Sequence, residues 1–344
     1  MTNQTDINVL KVGVVGAGSW GTAIADLLGS KGLRVELWAF EKEVKDSILT
    51  DRENPYYLPS IPLSKNVFPS NDLIEVVSEK EVLIIAVPSH VIRNVAKNMS
   101  PAVRRDSIIV SASKGIENET LLTMSDVLRQ ALAQVREENF VVLSGPSFAR
   151  EVATRTPTAV TVAGRDPNRS RLVQHLFATP YFRVYTSDDI TGVELGGAVK
   201  NVIAIAAGIV DGLELGLNTR AALITRGLTE ISRLGLKLGA NPHTFAGLAG
   251  IGDLVLTCTG QLSRNYTVGK QIGAGRPVSA ILSEMRMVAE GVKTAKSVYH
   301  LSEKLDVEMP ICHETYRILY EGLAPQKALQ RLMARDLKQE REQW

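Results

Sequence analysis

Lys11–Gly21 reads KVGVVGAGSWG. The apolar run Lys11–Val15 leads straight into glycines at 16, 18 and 21, and Trp20–Ser30 then carries a helical pattern. A strand buried on both faces of a parallel sheet reads as a continuous apolar run, not an alternating one. A G-x-G-x-x-G spacing between such a strand and a helix is the setting in which the motif cradles a pyrophosphate. Gly16 would permit the tight turn, Gly18 would let the backbone approach the phosphates, and Gly21 would let helix and strand pack closely. The helix N-terminus would add free N–H groups and a partial positive charge. A glycine-rich turn without a ligand is the plainer alternative.

Working outward, Arg34–Trp38, Glu81–Val87, Ser107–Ala112, Phe140–Leu143, Ala159–Ala163 and Phe182–Tyr185 read as further strands. Helical stretches begin near Glu41 and cover Val91–Met99, Thr120–Ala133 and Asn168–Phe177. Such alternation predicts a mostly parallel sheet with helices on both faces, some later strands being open to antiparallel pairing. After Thr186 the strand signals stop. Val193–Gly212, Thr219–Leu238, Ala280–Arg286, Thr294–Leu305, Glu314–Tyr320 and the charged Gln326–Glu342 read as helices. The expected fold is α/β, a Rossmann-type doubly wound sheet over residues 1–190, followed by an all-α domain over 191–344. No internal repeat or low-complexity linker interrupts it.

At 344 residues the chain is comfortable for two domains. It is 44% hydrophobic and 22% charged, with 39 basic against 37 acidic residues and a net charge of +2. That balance leaves no electrostatic footprint for nucleic acid. Two cysteines, Cys258 and Cys312, make neither a disulfide framework nor a cysteine zinc site, and reduced thiols in a cytoplasmic setting are the default. The histidines show no metal spacing, so no metal is expected. The N-terminus lacks a signal-peptide core. The apolar run Ile203–Val210 is too short to span a membrane and reads as part of a buried helix, so no membrane insertion is expected.

The stretch Gly192–Gly212, GVELGGAVKNVIAIAAGIVDG, is apolar or small on nearly every side from Leu195 onward. A helix hydrophobic all round is a buried one. An unpaired buried lysine costs roughly several kcal/mol, so Lys200 needs a reason to be there. Helical side chains lean over the residues three and four positions earlier, here Gly197 and Gly196. Ala204 and Gly208 continue the same bare face, predicting a groove floor with one ammonium above it. The alternative is a glycine and alanine packing seam with Lys200 snorkelling to water.

Three short polar loops fall after strands, at the carboxyl edge where open α/β sheets bind ligands. Pro88-Ser89-His90 offers a histidine that could carry a proton or simply start a helix. Ser113-Lys114-Gly115 offers a cation to hold an anion or polarise a carbonyl. Ser144–Ala149 offers glycine, hydroxyls and backbone N–H groups. At the end of the second strand, Phe40-Glu41-Lys42 should select the ribose. A carboxylate there suits the 2′-OH of NAD and a cation the 2′-phosphate of NADP, and Glu41 and Lys42 pull in opposite directions.

Taken together these segments resemble the bacterial NAD(P)-dependent glycerol-3-phosphate dehydrogenases. GAGSWGTA at Gly16–Ala23, SKG at Ser113–Gly115, SGPSFA at Ser144–Ala149 and LGGAVKNVIAIAAG at Leu195–Gly208 carry the likeness. GIGDLVLTC at Gly250–Cys258, SRN at Ser263–Asn265 and VAEGVKT at Val288–Thr294 follow in order. The resemblance implies reversible reduction of dihydroxyacetone phosphate, a small phosphorylated substrate, to sn-glycerol 3-phosphate, the backbone precursor of phospholipids. It implies NADH or NADPH as cofactor, Lys200 as the proton acceptor and donor, and Lys114 and Asp253 beside it in catalysis. Lys114, Gly145, Ser147, Lys200, Asp253, Ser263, Arg264 and Asn265 would line the substrate site. Gly16, Gly18, Ser19, Trp20, Gly21, Lys42, Lys114, Ala149, Arg264, Val288 and Glu290 would serve the dinucleotide. A cytoplasmic homodimer is the expected assembly. Many members carry a basic residue near position 40, where this chain has Phe40.

Lysine in water titrates near 10.4, so acid–base work near neutrality calls for a value of about 7–8. Burial or a second cation such as Lys114 would lower it, whereas Asp253 would oppose the shift if it paired directly. Ser263-Arg264-Asn265 has no acidic residue within several positions along the chain, as a phosphate cradle should, and arginine's planar fork suits phosphate oxygens. A dehydrogenase of the same plan but a different substrate would not need that segment, and a non-catalytic dinucleotide sensor would not need Lys200.

Overall fold

The computed structural model describes residues 9–285, 288–337 and 339–340. Two expected helices run past those limits, at Arg286 and at Lys338 and residues 341–342. The chain divides into two compact units. One holds the chain up to Lys114 together with Leu122–Val193, and the other holds Gly115–Leu121 together with Glu194 onward.

The first unit is an eight-stranded sheet. Its strands are β1 (Val12–Val15), β2 (Val35–Trp38), β3 (Val67–Ser70), β4 (Val82–Ile85), β5 (Ile108–Ser111), β6 (Phe140–Ser144), β7 (Thr158–Gly164) and β8 (Phe182–Ser187). They lie in the order β3-β2-β1-β4-β5-β6-β7-β8. All neighbours pair in parallel except β6 and β7, which are antiparallel. Because β1 has β2 on one side and β4 on the other, strand order reverses at β1, and its carboxyl end opens onto the crevice that receives ligands in such sheets. Every residue of β1, β4 and β5 is buried, as their apolar runs require, and apolar clusters cover both faces. The strand β3 gave no apolar signal. It contains Pro69 and an exposed Phe68 and sits at the sheet edge, where a missing N–H costs no ladder bond.

The second unit is helical among its described residues. Its central helix is Ile190–Gly212, buried almost throughout. By length and composition it would suffice to cross a membrane, a wider span than Ile203–Val210 suggested, yet its apolar window is wholly buried inside the protein. The helix Arg264–Gly273 crosses it at very close range. A Cβ at Gly208 would collide with the Tyr266 carbonyl, and one at Gly269 with the Ile205 carbonyl. Gly212 and Gly273 repeat the arrangement one turn on. The segment Gly115–Leu121, expected partly as helix and within residues 1–190, instead packs into this unit. There Ile116 joins the apolar core and Ser297 Oγ donates to its carbonyl at 2.8 Å.

A buried carboxyl group shapes this unit's pH dependence. Glu230 accepts hydrogen bonds from the N–H groups of Ile311 (2.7 Å) and Cys312 (3.1 Å), which open the helix Pro310–Tyr320. Burial pushes its pKa up to about 7, against the pull of those N–H donors. Between about pH 4.5 and 7 the folded chain therefore binds a proton that the unfolded chain has released. Glu230's contribution is full below that window and lost as pH rises through it, by up to about 3 kcal/mol. In Glu230→Gln, urea unfolding should lack this term, so the gap between wild type and variant should narrow from pH 5 to pH 8.

Candidate active site

In the first unit the glycine loop has the geometry that its spacing predicts. Gly16 sits at φ +114°, with the Ala86 carbonyl 2.8 Å from where a Cβ would lie, and its N–H donates to the Trp38 carbonyl at 3.2 Å. A Cβ at Gly21 would collide with the Gly16 carbonyl, so helix Ser19–Ser30 can only approach the strand this closely with glycine there. At Gly18, the N-cap, a Cβ would meet nothing within 4 Å. That is a surface left open above the helix N-terminus, and it fits a dinucleotide's pyrophosphate. Ser19 donates through Oγ to the Tyr57 carbonyl at 2.6 Å, and Trp20 packs half-buried against the core. Lys42 is exposed at the first position of helix Lys42–Thr50, while Glu41 is half-buried and accepts from the Tyr57 hydroxyl at 2.6 Å.

Lys114, Gly145 and Ser147 come together at the ends of β5 and β6. The Gly145 carbonyl accepts from Lys114 Nζ at 3.1 Å and from Ser147 Oγ at 3.0 Å. Gly145 lies at φ +134°, a conformation side-chain-bearing residues rarely adopt, which turns that carbonyl toward both donors. Ala149 opens the short helix Ala149–Ala153 at the end of the same loop. His90 sits exposed in the turn Ser89–Val91.

In the second unit Lys200 is 6% exposed and Asp253 fully enclosed. Lys200 Nζ donates to Asp253 Oδ1 at 2.5 Å and to Thr257 Oγ1 at 2.7 Å. Asp253 and Thr257 lie one turn apart on helix Asp253–Thr259, so they share a face toward the ammonium. Thr257 carries a role that sequence reasoning missed, although its i, i+4 spacing from Asp253 was visible. The bare floor beneath Lys200 is corrected. A Cβ at Gly196 would collide with the Ala249 carbonyl, and Gly208 lies against the Tyr266 carbonyl, so both are sites of close packing, not of open clearance. Nearby, burial pushes the Cys258 thiol up to about 12, with Lys200 opposing, which leaves an inert sulfhydryl.

Ser263, Arg264 and Asn265 begin helix Arg264–Gly273 and divide the labour. Ser263 Oγ caps the helix by accepting from the Tyr266 N–H at 3.2 Å. Asn265 is buried, donating to Asn201 Oδ1 at 2.9 Å and accepting from the Gly291 N–H at 3.0 Å. It thus ties the helix start to both the lysine helix and helix Glu290–Leu305. Asn201 follows Lys200 directly in the sequence, and its partnership with Asn265, 64 positions away, needed the fold to appear. Arg264 is left exposed at the helix N-terminus. Part of the residue reaches solvent, yet the protein packed around its guanidinium draws it below the usual arginine value, with Glu290 opposing, and it stays charged at any ordinary pH. Glu290 opens the neighbouring helix, and Val288 is half-buried just ahead of it. Among the described residues no group of three His, Cys, Asp or Glu could hold a metal ion.

Known proteins match nearly the whole length of this chain. The family model for the NAD-dependent glycerol-3-phosphate dehydrogenase N-terminus matches residues 11–170, and that for its C-terminus matches 189–330. A glycerol-3-phosphate dehydrogenase [NAD(P)+] of Syntrophobacter fumaroxidans is 56% identical over 331 residues, covering 96% of this chain and 97% of that one. Its counterpart in Geobacter sulfurreducens is 54% identical, covering 96% and 99%. The crystal structure of glycerol-3-phosphate dehydrogenase from Coxiella burnetii superposes with a TM-score of 0.91 at 40% identity, covering 95% of this chain and 99% of that one. With family models that match both halves and relatives this similar over nearly their full length, the chain belongs to the NAD-dependent glycerol-3-phosphate dehydrogenase family and is an NAD(P)-dependent oxidoreductase.

Proposed function

We propose that this enzyme reversibly reduces dihydroxyacetone phosphate to sn-glycerol 3-phosphate, with Lys200 giving and taking the proton. The observation that carries the reading is Lys200 itself, an ammonium kept in a largely apolar, buried helix on a carboxylate and a hydroxyl. A helix packed only for stability gains nothing from a buried charge pair that an apolar pair would replace at no loss.

When bound, the nicotinamide supplies the hydride in reduction and takes it back in oxidation. In reduction the carbonyl carbon receives the hydride and its oxygen receives a proton from Lys200 Nζ, leaving a neutral amine. In oxidation the amine takes the hydroxyl proton. Asp253 and Thr257 each accept one N–H of the ammonium and so fix its orientation. Lys114, held on the Gly145 carbonyl, helps polarise the substrate's carbonyl oxygen. Arg264 and the free N–H groups at its helix start take the phosphate, with Gly145 and Ser147 as further substrate contacts. Ser263 and Asn265 hold that turn in place. Residues 1–190 serve chiefly the dinucleotide, through Gly16, Gly18, Ser19, Trp20, Gly21, Lys42, Lys114 and Ala149. Arg264, Val288 and Glu290 contribute from residues 191–344. Supply of glycerol 3-phosphate for phospholipids by a cytoplasmic homodimer goes with this reading, and sedimentation of the purified chain tests the dimer.

The direct test is oxidation of NADH or NADPH in the presence of dihydroxyacetone phosphate, followed by nicotinamide absorbance. No oxidation with either cofactor would sink the proposal. Arg264→Ala should raise KM for the phosphorylated substrate about 10- to 100-fold, the worth of its charge-assisted hydrogen bonds. An unchanged KM removes Arg264 from the site. Gly18→Ala should fold normally, because its backbone is extended and the space is open, but should weaken dinucleotide binding about tenfold. Equal affinity would show that the loop's open face is not where the pyrophosphate lies.

A further inference from the structure

We propose that Tyr57 is a positioning residue that fixes the Glu41 carboxylate as acceptor for the adenosine ribose 2′-hydroxyl, and so makes this enzyme prefer NADH to NADPH. The inference rests on the cofactor reading above and goes beyond it, because the sequence at Phe40-Glu41-Lys42 left the choice open.

The placement of Glu41 comes first. It lies three residues past β2, whose last residue, Trp38, is in register with Val15 at the end of β1. The Gly16 N–H donates to the Trp38 carbonyl at 3.2 Å, so the end of β2 is fastened to the glycine turn. Glu41 also follows Gly21 by about twenty residues, the spacing at which an acidic side chain meets the ribose in this fold. It is the N-cap of helix Lys42–Thr50, yet its side chain makes no capping bond. The carboxylate is held elsewhere, by the Tyr57 hydroxyl at 2.6 Å.

Tyr57 is itself fastened to the phosphate loop by its main chain. Its carbonyl accepts from Ser19 Oγ at 2.6 Å, in the first turn of the nucleotide helix. Its N–H donates to Asn54 Oδ1 at 3.2 Å. Asn54 is fully buried, and its Nδ2 donates to the Ala17 carbonyl and to Thr22 Oγ1, both at 2.9 Å. One residue therefore joins the loop that faces the pyrophosphate to the carboxylate one sugar away, through a ring with only two rotatable bonds. Burial and the adjacent carboxylate push the phenol up to about 12, so at ordinary pH it remains a donor.

A carboxylate fixed this way offers a charge-assisted hydrogen bond to a ribose hydroxyl and repels a 2′-phosphate. Of its neighbours, Phe40 is 78% exposed and uncharged, and Lys42 is exposed on a flexible stem in water, where its attraction for a phosphate is screened. The anchored group dominates.

The test is fluorescence titration of NADH and NADPH against the full chain without substrate. Wild type should bind NADH about tenfold more tightly than NADPH. Tyr57→Phe keeps the ring and removes the hydroxyl. It should raise the Kd for NADH about fivefold, leave NADPH within about twofold, and so shrink the ratio. Glu41→Gln should shrink it at least as far, and adding Tyr57→Phe to Glu41→Gln should change the ratio no further, because a residue acting through Glu41 has nothing left to position. A wild-type preference for NADPH, an unchanged ratio in Tyr57→Phe, or a further change in the double variant overturns the proposal while leaving the dehydrogenase reading intact. Failure of wild type to bind either dinucleotide overturns both.

Discussion

Lys200→Ala is expected to lower kcat about a thousandfold in both directions, the usual worth of a positioned general acid or base. KM for the phosphorylated substrate should move far less, since the proposed site gives the phosphate to Arg264 and its helix start. The variant also takes the cation from Asp253, which is fully enclosed and accepts from Lys200 Nζ at 2.5 Å. Removing one member of a buried ion pair costs roughly 3–5 kcal/mol, so turnover must be expressed per folded molecule, with urea unfolding run beside the kinetics. Lys200→Met combined with Asp253→Leu separates the two effects. Removing both charges at similar volume should recover most of the lost stability and none of the turnover. Near wild-type kcat in Lys200→Ala, or restored turnover in the double variant, would take the lysine out of the chemistry.

Gly269→Val is expected to be the most damaging change to the fold. Its Cβ would fall on the Ile205 carbonyl of the central helix, and main-chain atoms on both sides cannot yield as a side-chain tip can. A cost of about 4 kcal/mol or more is in order, lowering Tm by on the order of 10 °C. Gly196→Val belongs to the same class. From the sequence its bulk would be expected to harm turnover more than folding. With the Ala249 carbonyl already at that position, it should instead reduce the yield of folded protein and leave kcat per folded molecule close to normal. Thermal unfolding beside active-site titration distinguishes the outcomes. Full stability with lost turnover in Gly196→Val would restore the idea of clearance for substrate.

Much of this molecule is legible in the sequence for identifiable reasons. The runs in β1, β4 and β5 are apolar without alternation because helices cover both faces, and a pattern that depends only on burial can be read locally. Helix Ile190–Gly212 was visible for the same reason. The stretch from Gly239 to Ser279 was not assigned any helix, yet it contains Pro242–Phe245, Asp253–Thr259 and Arg264–Gly273. Two of these helices are very short, and Arg264–Gly273 turns Gly269 and Gly273 against backbone of the central helix, so periodicity is faint. Their caps were the better signal. Asn241 accepts from the His243 N–H and Ser263 from the Tyr266 N–H, both of a type that marks helix starts. Of the candidate site, Lys200 stood out locally as a lysine in a largely apolar helix, whereas Asp253, Ser263, Asn265, Val288 and Glu290 were marked only by the family likeness. What each side chain touches was not legible.

The sequence by itself determined the alternation of strand and helix, the glycine turn at Gly16–Gly21, the burial of the lysine helix and the family likeness. Each depends on spacing along the chain, where the physics is that of backbone geometry and one-sided burial. Only the tertiary structure decided that Lys200 rests on Asp253 and Thr257, that Asn265 spends itself on Asn201 and Gly291, and that Tyr57 holds Glu41. It also decided that Gly196 and Gly208 are seams between helices and not a floor for substrate. Those facts join residues from 16 to 64 positions apart, and no local pattern records which of many polar groups will be brought within hydrogen-bonding distance once the core closes.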